Sequence, residues 1–316
     1  MLRLIPRRQL LTVLGALAAV TGILTPSAVA ASTVTSTSTT DKVTTTADIG
    51  PVSPSELHVM TFNLRYASTS TPNSWQQRRP VMRELLRAER PALIGTQEGL
   101  YQQLRDIQAD LPPYYDSIGL GRQGGSRDEA MQIFFDTRRL DPLEYDHYWL
   151  SDTPNVIGSQ TWGGCCPRMV TWIRFLDKRT GAEFYAVNTH FEAFSADARA
   201  KSAALVLSRL PNFDPDLPVV MTGDFNEAAA TGQTVYDRLV TNGPLLDTWT
   251  EAQTRGPLYA TFHGYQPLVP NGPRIDWILT SSQVQTRAAI VNTFNQDGQF
   301  PSDHLPVQAI LRIPAI

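Results

Sequence analysis

Lysine is nearly missing from this 316-residue chain: Lys42, Lys178 and Lys201 are all it has. Acids outnumber lysine plus arginine by 30 to 27, which excludes a broadly basic coat for nucleic acid, although a local patch needs no net positive charge. No helix or loop is rich in both basic and aromatic residues, the mark of a surface that tracks a nucleic-acid strand. Cysteine is as scarce. Cys165 and Cys166 stand alone, too few for a disulfide scaffold or a multi-cysteine zinc site. Adjacent cysteines in an exported chain either bond to each other or cross-link two chains. The longest apolar run, Leu10 to Leu24, is short for a membrane span and is interrupted by Thr12, Gly15, Thr21 and Gly22. With 42% hydrophobic and 18% charged residues, the composition is that of a globular protein.

What is present begins with a leader. Arg3, Arg7 and Arg8 precede the apolar run, and Ala28-Val29-Ala30 is a small-residue cleavage signature, so residues 1–30 read as a signal peptide. Arg7-Arg8 resembles a twin-arginine signal; Sec leaders also carry arginines, so either export route fits. Cleavage takes the formal net charge from −3 to −6 and leaves a secreted chain with no stable membrane insertion. Residues 31–55, dominated by Thr and Ser, lack the apolar surface that offsets ordering entropy and read as a disordered tether. Residues 56–316 are then one domain.

Periodicity within that domain alternates strands and helices. Strand patterns cover Leu57–Leu64, Ala92–Gly95, Met131–Phe135, Met169–Leu176, Glu183–Val187, Pro218–Thr222, Ile275–Thr280 and Val307–Leu311. Helical spacing covers Gln76–Ala88, Leu100–Leu111 and Ala196–Leu210. Arg78, Arg79, Arg83 and Arg87 are spaced like the solvated face of the first helix. Polar residues follow the strands: Asn63, Gln97-Glu98, Asn188 and His190, then Asp224 and Asn226. Loops at the carboxyl ends of strands are where such groups converge. Carboxylates gathered there repel one another unless a cation is bound, and hard oxygen donors suit Mg²⁺ or Mn²⁺.

The ordered set Thr61-Phe62-Asn63-Leu64-Arg65, Gly95-Thr96-Gln97-Glu98, Asn188-Thr189-His190, Gly223-Asp224-Phe225-Asn226, Arg274-Ile275-Asp276-Trp277-Ile278 and Ser302-Asp303-His304-Leu305-Pro306 resembles the endonuclease/exonuclease/phosphatase superfamily. The resemblance implies an α/β fold, a four-layer sandwich of two mixed β-sheets packed face to face with helices outside. It implies a metal-dependent phosphoric ester hydrolase working by direct water attack. Glu98 is then the main metal ligand, with Asn63 and Asp303 nearby. Asp224 orients or deprotonates the water and Asn226 donates to the phosphoryl group. His304 touches the phosphate and Asp276 fixes its tautomer and charge. His190 is a second active-site histidine, with Glu129 as its partner. Arg168 directs its guanidinium fork toward phosphate, and Arg122 is a weaker candidate. His58, His147 and His263 match no motif and read as structural.

The substrate stays open between a nucleic acid and a small phosphorylated molecule. Trp75, Trp149, Trp162 and Trp172 are candidates for a sugar- or base-binding cleft, although aromatics are more often core. The non-enzymatic alternative, an exported binding module that keeps the fold without chemistry, predicts the loss of at least one motif residue. All six of Asn63, Glu98, Asp224, Asn226, Asp303 and His304 are in place.

Overall fold

A computed structural model of the chain describes residues 43–45, 48 and 50–315; the leader and residues 31–42 of the tether lie outside the described residues. Among these, strands β1 (Leu57–Asn63), β2 (Leu93–Gln97), β3 (Tyr115–Ile118), β4 (Ile133–Asp136), β5 (Leu140–Trp149), β6 (Met169–Asp177) and β7 (Glu183–His190) come first. They are followed by β8 (Val219–Asp224), β9 (Leu245–Asp247), β10 (Thr254–Arg255), β11 (Asp276–Ser281), β12 (Gln285–Val291) and β13 (Val307–Arg312). They form a seven-stranded sheet ordered β10-β12-β13-β1-β2-β4-β3 and a six-stranded sheet ordered β5-β6-β7-β8-β11-β9. Both are mixed: β1 runs parallel to β2 and β7 parallel to β8, and the pairs flanking them are antiparallel.

Helices α1 (Trp75–Glu89) and α2 (Tyr101–Asp110) cover the outer face of the first sheet, and α3 (Ala196–Arg209) covers that of the second. This is the four-layer sandwich expected. The alternation of strand side chains explains it. Leu57 and Val59 of β1, Leu93 of β2, Phe184 and Ala186 of β7, Val220 of β8 and Ile278 of β11 fill the space between the sheets. The intervening Met60, Ile94, Val187, Met221 and Leu279 pack under the helices.

The same parity places Asn63, Gln97, Asn188, His190, Asp224 and Asp276 on the inner faces, at one end of the sandwich. Below them the apolar filling gives way to a hydrogen-bonded layer. Gln97 Nε2 donates to Thr61 Oγ1 (3.2 Å) and Asn188 Oδ1 (2.8 Å), and Thr222 Oγ1 donates to the same Asn188 oxygen (3.1 Å). Asn188 Nδ2 donates to the Thr96 and Gln132 carbonyls. A Cβ on Gly95 would lie 1.9 Å from Thr222 Oγ1. Glycine there is what lets the sheets close.

Three sequence readings change. The tether is not free along its length: the Thr44 amide donates to Thr293 Oγ1 (2.7 Å), the Thr293 amide returns a bond to the Thr44 carbonyl, and Arg287 bonds the Pro51 carbonyl. The ordered body therefore begins before residue 56. Arg78 is not on a solvated face. It is fully buried, and its guanidinium donates to the carbonyls of Leu64, Arg65, Tyr66, Asn73 and Pro301, five acceptors that offset its desolvation. Strands β7 and β8 run on to His190 and Asp224, because the pairs Asn188↔Thr222 and His190↔Asp224 continue the ladder. Those polar residues are the last rungs of strands, not loop residues.

Two predictions follow from the packing. Gly95→Ala should destabilise the fold by about 1–3 kcal/mol through overpacking, read as a lower denaturant midpoint at unchanged m-value. The second concerns His58, which is buried and accepts from Gln308 Nε2 (3.2 Å). Burial depresses its pKa to about 3, so the unfolded chain binds a proton between pH 6.5 and 3 that the folded chain refuses. The stabilisation is complete above pH 6.5 and is lost as pH falls toward 3. His58→Met should be less stable at pH 7, yet show a shallower decline in Tm from pH 6.5 to 4; an equal slope would assign the acid sensitivity elsewhere.

Candidate active site

A pocket of about 360 Å³ opens at the polar end of the sandwich. Glu98, Glu129, Arg168, His190, Asp224, Asn226, Asp303 and His304 all line it; Asn63 and Asp276 stand just behind. A separate cleft of about 390 Å³, across the loop around Gly121–Ala130, contains none of Glu98, Asp224 and His304.

Glu98 follows β2 at φ 62° and Asn226 follows β8 at φ 50°. Left-handed backbone is uncommon for residues other than glycine and recurs at functional sites. Asp224 Oδ1 accepts the Asn226 amide at 2.9 Å, so the Asp224–Asn226 segment is a turn rather than the extended stretch that a spacing of two would give.

Asn63 is placed between the two carboxylates. Its Nδ2 donates to Glu98 Oε1 and Asp224 Oδ2, both at 2.9 Å, and its Oδ1 accepts the Arg65 amide. It presents amide hydrogens to the site rather than the oxygen a metal needs. In this arrangement it is the brace between two acids. Asp303 lines the pocket with its carboxylate 3.8 Å from Arg65 Nε. The tight cluster of possible ligand atoms, all within 4.8 Å of one another, comprises Glu98, Asp224 and His304. Asp303 stands outside it.

His304 Nδ1 lies 3.0 Å from Asp276 Oδ2, and its Nε2 is 3.9 Å from Asp224 Oδ2. Burial alone would disfavour the imidazolium, but Asp276, then Asp224 and Asp303, raise its pKa to about 10. Glu98 and Asp224 are the two oxygen donors of that cluster. Burial, then Asp276, raises the pKa of Asp224, while His304 and Asn63 oppose the rise.

His190 is the opposite case. Burial, with Arg168 and His304 nearby, holds its pKa well below the ordinary range. The neutral ring sets Nε2 3.0 Å from Asn226 Nδ2, which also donates to the Phe191 carbonyl. Asn226, expected to donate to phosphate, has its amide hydrogens directed at His190 and Phe191 and so positions the ring. Glu129 is not the partner of His190. It takes a two-pronged bond from Arg122 (2.8 and 3.2 Å) because the two residues face each other across the turn where the Arg122 amide bonds the Glu129 carbonyl. Burial, offset in part by Arg122, raises the pKa of Glu129 to about 7.

Arg168 Nε donates to Glu192 Oε2 (3.2 Å), and its Nη1 is buried without a protein partner, a vacant donor on the wall where phosphate binding was expected. Glu192 escaped the sequence reading. The β6–β7 register, Val170 opposite Thr189, brings Arg168 beside the residues after His190, and that pairing was the available signal. Cys165 and Cys166 are bonded to each other and also line the pocket. None of the four tryptophans does. Trp75, Trp149 and Trp162 give their indole N–H to Asp106, the Arg122 carbonyl and Asp152, and Trp172 packs on Tyr185 and Phe213. The pocket aromatics are Tyr66, Phe194 and Phe262.

The family profile described as Endonuclease/Exonuclease/phosphatase family matches residues 60–304. A solved endonuclease/exonuclease/phosphatase family protein of Bacteroides thetaiotaomicron is 33% identical, with a TM-score of 0.77 over 83% of this chain and 98% of that one. A mannosyl-6-phosphatase of Bacteroides thetaiotaomicron is 34% identical, with a TM-score of 0.75 over 81% of this chain and 99% of that one. Among curated proteins, an uncharacterized protein of Acanthamoeba polyphaga mimivirus is 30% identical over 161 residues, 48% of this chain and 59% of that one. The chain spans about half the length of the curated relatives it matches. With the profile running from β1 to His304 and the site assembled at the rim of both sheets, the chain belongs to the endonuclease/exonuclease/phosphatase family.

Proposed function

We propose that the chain is an exported phosphomonoesterase that uses Mg²⁺ or Mn²⁺ and cleaves a small phosphorylated molecule by direct attack of water. One observation carries this reading: Glu98, Asp224 and the His304–Asp276 pair converge on one pocket. The leader at residues 1–30 supports export. The mannosyl-6-phosphatase relative, matched over nearly its whole length, supports a monoester over a diester.

The residues fit a divalent cation. Glu98 and Asp224 place two hard oxygen donors around the single amide of Asn63, and like charges this close favour a bound cation. Bound there, it would neutralise phosphate charge and lower the pKa of water. Glu98 and Asp224 are its holders. Asp224 also offers an acceptor that orients the attacking water. His304, kept charged by Asp276, sets an N–H toward the phosphoryl oxygens as charge shifts to the leaving oxygen. The vacant Arg168 Nη1 supports a second contact to phosphate, while Glu192 fixes the direction of that fork.

Chelation should abolish phosphatase activity and Mg²⁺ or Mn²⁺ should restore it. Glu98→Gln should raise the metal concentration for half-maximal activity by about tenfold or more at unchanged Tm; full activity in chelated protein would remove the metal from the reading. His304→Ala should lower kcat by about 10²–10⁴-fold, far more than it raises KM. Asp276→Asn acts through the same histidine, so the double variant should be little slower than His304→Ala. Fully multiplicative losses would separate the two residues.

A further inference from the structure

Three side chains at the mouth of the pocket are left unexplained by the chemistry. Phe194 is 82% exposed, Phe262 51% and Tyr66 47%. Phe194 and Phe262 are the only phenylalanines among the large exposed hydrophobics of the described residues, and with Tyr66 they line the one pocket. Each is anchored to a different part of the site. The Phe194 amide donates to Glu192 Oε1 (3.0 Å), beyond which Glu192 holds Arg168. Phe262 bridges His304 through its backbone, with its ring 5.0 Å from the imidazole. The Tyr66 amide donates to Glu98 Oε2 (3.2 Å), and its carbonyl accepts from buried Arg78. Apolar rings held in water on short, fixed backbone gain free energy when a ligand covers them.

The charges around these rings narrow what can cover them. Arg122 is paired with Glu129 and Asp128, Arg168 with Glu192, and Arg65 with Asp303. Each of these arginines is already paired with an acid, so the mouth is not a basic surface, which disfavours a polynucleotide or a diphosphate leaving group. The polar groups nearest the aromatic mouth are acceptors, the carboxylates of Asp303 and Glu98, which take hydrogen bonds from hydroxyls. A neutral ring with an apolar face and a hydroxylated edge satisfies both, and about 360 Å³ is at the small end of ligand pockets.

Building on the phosphomonoesterase reading, we infer that Phe194, Phe262 and Tyr66 form the subsite for the leaving alcohol, and that this alcohol is a pyranose. The ring lies against the aromatic faces while the phosphate reaches Arg168 and His304. Water oxygen bonds to phosphorus, the bond from phosphorus to the sugar oxygen breaks, and that oxygen leaves as the sugar hydroxyl with a proton from the site or solvent.

The test compares a hexose 6-phosphate, glycerol 3-phosphate and adenosine 5′-monophosphate on the full chain with Mg²⁺ or Mn²⁺. Wild-type protein should show its highest kcat/KM on the hexose 6-phosphate. Phe194→Ala, at a solvent-facing position, should lower the ratio of kcat/KM for hexose 6-phosphate over glycerol 3-phosphate by about 3–10-fold, chiefly through KM, from the size of single aromatic contacts. Phe194→Trp should recover most of it. An unchanged ratio, or a preference for the mononucleotide in wild-type protein, overturns the pyranose subsite while leaving the phosphatase standing. Wild-type protein that cleaves none of the three esters overturns the phosphatase reading and the subsite with it.

Discussion

Everything at the rim depends on how closely the two sheets approach beneath it. Gly95 leaves room for Thr222, and the Thr222 hydroxyl and the Gln97 amide meet on Asn188 Oδ1. This layer is fully buried, so its members gain only if their hydrogen bonds are made, and a slip of one residue would leave them unpaired in an apolar core. It therefore fixes register across the sandwich, not only within each sheet. Asn63, one pair along β1 from the layer, can reach Asp224 on the other sheet only because that register is set.

On that frame the pocket is an exercise in separated charge. Glu98, Glu129, Asp224 and Asp303 line one small space with Arg122, Arg168 and His304. Two of those cations are already held by acids, Arg122 by Glu129 and Arg168 by Glu192. The two histidines divide by neighbourhood. His304 has Asp276 at 3.0 Å and stays charged; His190 has no acid as close, sits beside Arg168, and stays neutral. Burial disfavours the imidazolium at both; at His304 the bond to Asp276 and the neighbouring carboxylates outweigh it, whereas at His190 Arg168 and His304 add to it.

Much of this was legible in the sequence. The central strands announce themselves as apolar runs, and their terminal polar residues, from Asn63 to His304, are the ones gathered at the site. The edges were not legible. β5 is exposed over most of its length and carries Pro142, and β3, β9 and β10 have two to four residues each, so none shows a periodic apolar pattern. Partner assignments failed where they depended on a fold-back rather than on a motif: Glu129 to Arg122 across one turn, and Arg168 to Glu192 across a strand pair. Arg78 was misread because a helical arginine with helical neighbours looks solvated until the five carbonyls around it are placed. The aromatic mouth was invisible for the same reason, since exposure belongs to the assembled surface.

The ties of the site also join the sheets. Asn63 and Glu98 extend from the first sheet, Asp224 and Asp276 belong to the second, and His304 leads into β13 of the first. The bonds from Asn63 to Asp224 and from Asp276 to His304 are rivets across a sliding joint. Any shear between the two slabs is registered at those atoms before it disturbs a ladder within either slab. The geometry of the site is accordingly tied to the register between the two sheets.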